Sequence, residues 1–407
     1  MNNGFLRGFI LFCLLVLSAI VSDACTAVII SGKATPDGRP ILWKHRDTDQ
    51  FQNAIKFFAD GKYTSIGLID ADDPEGKAVW AGYNSAGFAI INTASYNLIR
   101  KDTVKFKDQE GVVMREALKV CATVEDFEKF LRERTKPLGV EANFGVIDAK
   151  GGAAWFETDN FNCKKLDVND PVVAPMGYLI HTNFSFTGDP KRGSGHIRYK
   201  TAEDLFFQAA QQNNLTVRFI LQGVSRSLWH SLIRTDLKSS GVRADEQKFV
   251  HFTDFIPRYS STSSVAIQGV LPEEKAELTT MWTILGFPLT SVVFPLWLSQ
   301  GNNQPELVTL NASQVAPLCD KALALKNRAF PVVQNYGGNY INLPALYNGE
   351  ETGIMQKLKP LEDKIFDESL AKMEELRKSP APAALIPAFY KKINDLITIE
   401  FNRNFQK

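Results

Sequence analysis

Cysteine is scarce. Five in 407 residues are too few to hold a disulfide scaffold together. A surplus of charge is also missing. Lys and Arg total 46 against 45 Asp and Glu, for a formal net charge of +1. Nucleic-acid binders need a basic surplus to neutralise phosphates, and proteins held at membranes by basic patches need one too. The balance argues against both, and against a polyanionic tail. No apolar run reaches the roughly 20 residues that cross a bilayer comfortably. The stretch 281–298 comes nearest, but Pro288 and Pro295 interrupt it, so it reads as buried strand or loop. The histidines His45, His181, His196, His230 and His251 are scattered, and the cysteine spacing fits no metal site, so neither a metal nor a cofactor is expected. A Gly-x-Ser-x-Gly elbow, a papain-like cysteine motif, a P-loop and a dinucleotide fingerprint are all absent. So are internal repeats and low-complexity tracts.

What is present is the composition of a soluble globular protein, with 44% hydrophobic and 22% charged residues. The N-terminus is a processing signal. Residues 1–24 carry Arg7, an apolar run from Phe9 to Ile20, and small residues Ser22 and Ala24 placed for a cut before Cys25. That layout predicts a secretory signal peptide, and a mature chain 25–407 in the periplasm or outside the cell. Cys13 leaves with the signal. Cys25, Cys121, Cys163 and Cys319 remain, enough for up to two bridges in an oxidising compartment.

The cut would make Cys25 the first residue of the mature chain, joining a thiol and a free α-amine in one residue. An α-amine has a pKa near 7.7–8.0 against about 10.4 for lysine, so about one in ten is unprotonated at neutral pH. It is a usable general base for its own side chain, and an N-terminal nucleophile of this kind is an established alternative to a Ser-His-Asp arrangement. Two other readings compete. Cys25 could be an early core cysteine. It could also be the acylated cysteine of a lipid-anchored binding protein without catalysis, although Ser22 and Asp23 fit a lipobox poorly.

Hairpins are predicted over 26–43, around Thr35-Pro36-Asp37-Gly38; over 78–93, around Asn84 to Gly87; and over 143–157, around Asp148 to Gly152. Helical periodicity marks 112–120, 124–134, 199–212, 217–227, 365–378 and the tail from Ala384, with Thr123 and Asp126 set as a capping box. Hairpins interleaved with amphipathic helices predict an α+β fold, with helices covering antiparallel sheets. One mature domain is expected. The stretch 360–382 reads as a weak linker into a helical extension, about 360–407, packed on that domain.

Several segments then point one way. Cys25-Thr26-Ala27-Val28-Ile29-Ile30 opens the mature chain, and Trp43-Lys44-His45-Arg46-Asp47 ends the first hairpin. Asn84-Ser85-Ala86-Gly87-Phe88 forms the second turn. Asn143-Phe144-Gly145-Val146-Ile147-Asp148 leads to Gly151-Gly152 and Glu157. His181-Thr182-Asn183-Phe184 is followed by Gly195-His196-Ile197-Arg198-Tyr199. In this order the set resembles the N-terminal nucleophile (Ntn) hydrolases of the acyl-CoA:6-aminopenicillanic acid acyltransferase (isopenicillin-N acyltransferase)-like branch, which are related to choloylglycine hydrolases and penicillin V acylases. The resemblance covers about 25–205 well and 264–298 weakly. It implies an αββα four-layer sandwich and a thiolate that attacks a linear amide. An acyl-enzyme is then released to water or to an amine.

By that resemblance Cys25 is nucleophile and base. Arg46 favours thiolate, and Asp47 or Asp49 orients the amine; Arg46 to Asp49 reproduces an Arg-x-x-Asp spacing found in the bile-salt cousins. Asn183 holds the oxyanion or the amine, and Arg198 lies near the nucleophile. Asn92 is the second oxyanion donor, with Asn97 as the fallback. The signal cut itself frees the cysteine, so one chain and no second subunit is expected. The cousins' Gly-Arg-Thr/Asn-Met-Asp type run is not reproduced at Lys44-His45-Arg46-Asp47, which puts bile-salt specificity in doubt. The expected partner is a small N-acyl amide. N-acyl amino acids, peptides, β-lactam side chains and bile conjugates all remain open. No nucleic acid and no membrane span after signal removal are expected.

Overall fold

The turn Thr35-Pro36-Asp37-Gly38 reverses the chain between β1 (Thr26–Ile30) and β2 (Ile41–Asp47), which pair antiparallel with Thr26 opposite His45. The computed structural model describes residues 24–99 and 104–405. The residues before Ala24, expected to be signal peptide and Cys13 among them, lie outside the described residues. Past β2 the chain builds a seven-stranded antiparallel meander in plain sequence order: β3 (Asn53–Phe58), β4 (Ser65–Asp70), β5 (Ala81–Asn84), β6 (Ala89–Ala94), β7 (Ala142–Ile147), β8 (Ala153–Thr158) and β9 (Cys163–Asp167). The turn from β5 to β6 is wrapped round Asn84. Its Oδ1 accepts the N–H groups of Ala86 and Phe88, and Gly87 supplies φ +80°.

The second sheet has six strands. β10 (Tyr178–His181) joins β1 and β2, and the order β10-β1-β2-β14-β15-β16 is completed by β14 (Ser261–Gln268), β15 (Thr280–Leu285) and β16 (Phe294–Leu296). Two small ribbons stand apart: β11 (Trp229–His230) with β12 (Thr235–Asp236), and β13 (Phe249–His251) with β17 (Tyr340–Asn342). The region 281–298 therefore folds as strand, turn and strand, as its prolines predict.

The sheets lie face to face, with β1 and β2 against β6 and β7. At Gly145 they come so close that an added Cβ would meet Trp155 at 2.9 Å and Ile29 at 3.1 Å. Helices cover the outsides. On the seven-stranded sheet these are α1 (Glu110–Val120), over β5 and β6, and α2 (Val124–Glu133), by β9. The capping box of α2 is formed as expected. Thr123 Oγ1 accepts the Asp126 N–H at 3.1 Å, and Asp126 Oδ2 accepts the Thr123 N–H at 3.2 Å. On the six-stranded sheet lie α3 (His196–Gln211), α4 (Pro317–Ala329), the short α5 (Leu343–Leu346), α6 (Ile354–Lys378) and α7 (Ile386–Phe405). Sheet faces covered on both sides explain why β1, β7 and β8 are buried at every position. The layer order is helix, sheet, sheet, helix: an α+β, αββα sandwich.

Two local expectations differ. The helix expected over 217–227 is a π-helical turn, Phe219–Val224, because Ser225 is drawn inward to hydrogen-bond with Trp43 Nε1 and Ser264 Oγ. The linker expected from Pro360 is helix. α6 runs through Pro360, since burial of Leu358, Leu361, Ile365 and Phe366 outweighs the hydrogen bond that proline removes. Phe366 stacks on Trp282 at 5.2 Å. In α7, Tyr390 stacks on Trp297 at 5.9 Å and accepts its N–H at 2.7 Å.

No disulfide joins Cys25, Cys121, Cys163 or Cys319. Among the described residues, no helix is long and apolar enough to cross a membrane, and no group of three or more His, Cys, Asp or Glu could hold a metal ion.

Candidate active site

Strand β2 reads Ile-Leu-Trp-Lys-His-Arg-Asp, and all seven residues are buried. Four consecutive ionisable side chains in a buried strand are unusual, because each must find partners. The strand's alternation sends them to opposite faces. Lys44 and Arg46 turn toward the seven-stranded sheet. Lys44 Nζ donates to Asn92 Oδ1 at 2.6 Å and to Trp80 O at 3.0 Å. Arg46 forms a bidentate pair with Asp70, at 2.5 and 3.0 Å, and lies 4.7 Å over the Trp80 ring; Trp80 Nε1 donates to Asp70 Oδ2 at 2.6 Å.

Register places Cys25 across from Arg46 and Ala24 across from Asp47, whose carbonyl accepts the Ala24 N–H at 3.2 Å. Cys25 is only 5% exposed, yet it is not sealed in. It lines a cavity of about 470 Å³ between the two sheets, together with Lys44, Arg46, Asp47, Trp80 and Asn92. Ala94, Ser95, Tyr96, Ile99 and Val140 extend the wall, and Asp49, Lys107, Asp108, Glu110 and Glu141 add charge.

On the other face of β2 a polar relay surrounds Asp47. Ser261 Oγ donates to Asp47 Oδ1 at 2.5 Å, and Arg258 Nη2 donates to Asp47 Oδ2 at 2.8 Å and to Ala24 O at 3.0 Å. His45 Nε2 lies 2.9 Å from Ser261 Oγ. Since that hydroxyl already gives its proton to Asp47, the imidazole donates from Nε2. Burial pushes the His45 pKa down to about 4, against the pull of Asp47, so the ring is neutral at pH 7. Arg198, the third residue of α3, reaches under Cys25. It donates to Cys25 O at 2.7 Å, Thr26 Oγ1 at 2.9 Å and Asn183 Oδ1 at 2.8 Å. Burial, then repulsion from Arg258, lowers its pKa to about 9, still charged at neutral pH.

The structure gathers Cys25, Arg46, Asp47, Asp49 and Asn92 around one cavity and leaves the other expected residues behind its wall. Asn183 does not line the cavity. Its Nδ2 donates to Ala94 O at 3.0 Å and its Oδ1 accepts from Arg198, so the donor expected for an oxyanion is engaged in holding Ala94. Arg198 touches the Cys25 backbone and does not line the cavity. The fallback Asn97 is tied to Ser95, Ser185 and Asp189, where it shapes a loop and faces no substrate space. Asp49 is exposed at the rim, touched by Thr48 Oγ1 at 3.4 Å. Arg46 is paired with Asp70, and Lys44, not among the expected site residues, is a second cation in this part of the wall. The sequence held a signal for it. Lys44 and Asp47 carry the cousins' Arg-x-x-Asp spacing once lysine is admitted in place of arginine. Asp70, Trp80, Arg258 and Ser261 come from distant strands and loops and carry no local signal.

No protein-family model and no curated protein matches the chain. Solved structures do. An N-acylethanolamine-hydrolyzing acid amidase ortholog from Caenorhabditis elegans aligns at TM-score 0.38 and 15% identity, covering 61% of this chain and 94% of that one. A variant of conjugated bile acid hydrolase from Clostridium perfringens aligns at 0.38 and 13%, over 68% and 94% of the two chains. Penicillin V acylase from Agrobacterium tumefaciens aligns at 0.35 and 12%, over 68% and 86%. At such scores these are likenesses only, and the layer order rests on the strand pairing itself.

Proposed function

We propose that this chain is a secreted or periplasmic cysteine hydrolase of linear amides, freed for catalysis when the residues before Cys25 are removed. The observation that carries this reading is the position of Cys25. It sits at the head of β1 in the wall of a cavity between the sheets, beside Lys44, Arg46 and Asp47. With Ala24 gone, the new α-amine takes the place of the peptide bond whose Ala24 carbonyl now meets Arg258 Nη2, and the same Nη2 donates to the Asp47 carboxylate. The carboxylate orients the amine, and Lys44 favours thiolate over thiol.

The α-amine takes the Sγ proton as sulfur attacks the amide carbon. The carbonyl becomes an oxyanion, for which Asn92 offers Nδ2 because Lys44 occupies its Oδ1. A preorganised donor of this kind lowers a barrier by about 3–4 kcal/mol. The C–N bond breaks as the leaving nitrogen collects the proton. Water then attacks the thioester, gives its proton to the amine and regenerates the thiol; an attacking amine would give acyl transfer instead. The buried thiols of Cys121 and Cys319 are poor nucleophiles, since burial pushes both up to about 12.

The N-terminal motif set, rather than any neighbour, supports the isopenicillin-N acyltransferase-like branch. A lipid-anchored reading fits less well, because an acylated cysteine must hand its chains to a membrane and Cys25 is buried in a cavity wall. The test is a panel of N-acyl amides read by released amine, with intact mass on the processed chain. An acyl adduct on Cys25 is expected. Turnover that survives Cys25→Ala would end this reading.

A further inference from the structure

A second cavity of about 200 Å³ shares no lining residue with the one at Cys25. It lies among the π-helical turn, the 3-10 turn Leu237–Ser240, the turn Pro288–Thr290 and α6. Its wall includes a buried ion pair, Arg226 with Glu362. That pair is satisfied internally. Arg226 also donates to Pro288 O at 2.7 Å and Ser291 O at 2.9 Å, and Glu362 accepts the Val293 N–H at 3.0 Å.

Lys238 is different. It lines the cavity, burial lowers its pKa, and no carboxylate among the described residues comes within ion-pair distance of it. Asp236, the nearest counter-charge, is engaged as the cap of this turn and accepts the Lys238 N–H at 3.0 Å. Ser291 lines the cavity as well, and its buried hydroxyl has no hydrogen-bond partner among the described residues. A desolvated ammonium without a counter-ion and a hydroxyl without an acceptor are both costly. One anionic group with several lone pairs relieves both. Leu289, Met355 and Leu358 give the wall an apolar part beside the polar Gln222, Tyr347, Gln356 and Lys359, which suits a short hydrocarbon attached to that anion. The π-helical turn alongside is a local irregularity that tends to mark functional places.

We propose that this cavity binds a small monocarboxylate with a short hydrocarbon chain, its carboxylate on Lys238 and Ser291 and its chain against Leu289, Met355 and Leu358. The site is independent of the hydrolase reading.

The test is calorimetric titration of the processed full chain with sodium hexanoate, and with hexanol and hexylamine for comparison. Hexanoate is expected to bind saturably and one to one, and the two analogues not to bind. Lys238→Met should weaken hexanoate by about tenfold or more, the worth of one charge-assisted hydrogen bond, while Lys238→Arg retains binding. Leu289→Trp, which fills the cavity from its apolar side, should abolish it and serves if Lys238→Met fails to fold. Absence of saturable hexanoate binding, equal binding of hexanol, or full affinity in both Lys238→Met and Leu289→Trp overturns the proposal. So does affinity lost in Lys44→Met and kept in Lys238→Met, which would place the carboxylate in the Cys25 cavity instead.

Discussion

The two faces of β2 make similar use of charge to opposite ends. Lys44 and Arg46 face the seven-stranded sheet across the cavity, while His45 and Asp47 are bound to Ser261 and Arg258 within their own layer. On the first face, Arg46 forms a bidentate pair with Asp70, and Lys44 donates to Asn92 and to the Trp80 carbonyl. A buried cation in a bidentate carboxylate pair has its charge largely offset where it sits and chiefly keeps the structure intact. On the proposed mechanism, Arg46 is therefore architectural and Lys44 is the cation proposed to act on the Cys25 thiol, the reverse of what the order of residues near the Asp suggests.

The largest expected effect belongs to Cys25, the proposed nucleophile. Cys25→Ala should cut turnover by at least about 10⁴-fold, with the unfolding midpoint nearly unchanged, since nucleophile removal collapses the catalytic unit. Any residue left before Cys25 should act alike, because it converts the base into an amide. Full activity in such a chain would be incompatible with an amine base.

Lys44→Met comes next. Loss of a preorganised cation should lower kcat by about 100- to 1000-fold, with a smaller stability loss of about 1–2 kcal/mol from the two acceptors left behind. Arg46→Met should invert that pattern. It leaves Asp70 buried against Trp80 without its partner, a change that costs about 3 kcal/mol of stability. Paired urea melts and kcat measurements on the two variants decide the comparison. If Arg46→Met lowers kcat more than Lys44→Met at equal folding, the roles of the two cations are exchanged.

Why the hairpins were legible and this division was not follows from range. The first hairpin is local: β1, the Thr35-Pro36-Asp37-Gly38 turn and β2 lie within one short stretch, and turn chemistry and β-branched residues mark it. The capping box of α2 and the hairpin at Asn84 are local too. Asp70, Trp80 and Arg258 reach β2 from other strands and loops, and no spacing relates them to Lys44 or Asp47. Asn183 was legible as a polar residue near the nucleophile, but its two hydrogen bonds, to Ala94 and Arg198, depend on where α3 crosses the sheet. Sequence patterning identifies which residues gather. Partner choice, and so role, is set by the packing of distant elements.

The outer face of β2 also carries an acid liability. Burial holds His45, and His181 elsewhere in the same sheet, at a pKa of about 4 against an ordinary 6.5. Both are neutral when folded and readily protonated when unfolded. The unfolded state therefore binds more protons between these values, and stability falls as pH falls through that window. The loss is at most roughly 3 kcal/mol per histidine by pH 4 and is absent above about pH 7. Urea midpoints at pH 7, 5 and 4 measure it, and a flat profile would mean that neither ring is buried as described.

The smallest expected effect separates the two acids proposed to orient the amine. Asp47 is buried, accepts from Ser261 and Arg258, and adjoins the Ala24 backbone; Asp49 is exposed at the rim. A carboxylate steers an ammonium only when its own position is fixed and water does not screen it. Asp49→Asn should therefore change kcat by less than about twofold, as a rim charge in high dielectric does. Asp47→Asn should cost about as much as Lys44→Met and shift the acidic limb of the pH–rate profile, because the amine loses the charge that holds its proton. A strong effect at Asp49 and none at Asp47 would mean that the chain around Cys25 rearranges after processing to bring the rim acid inward.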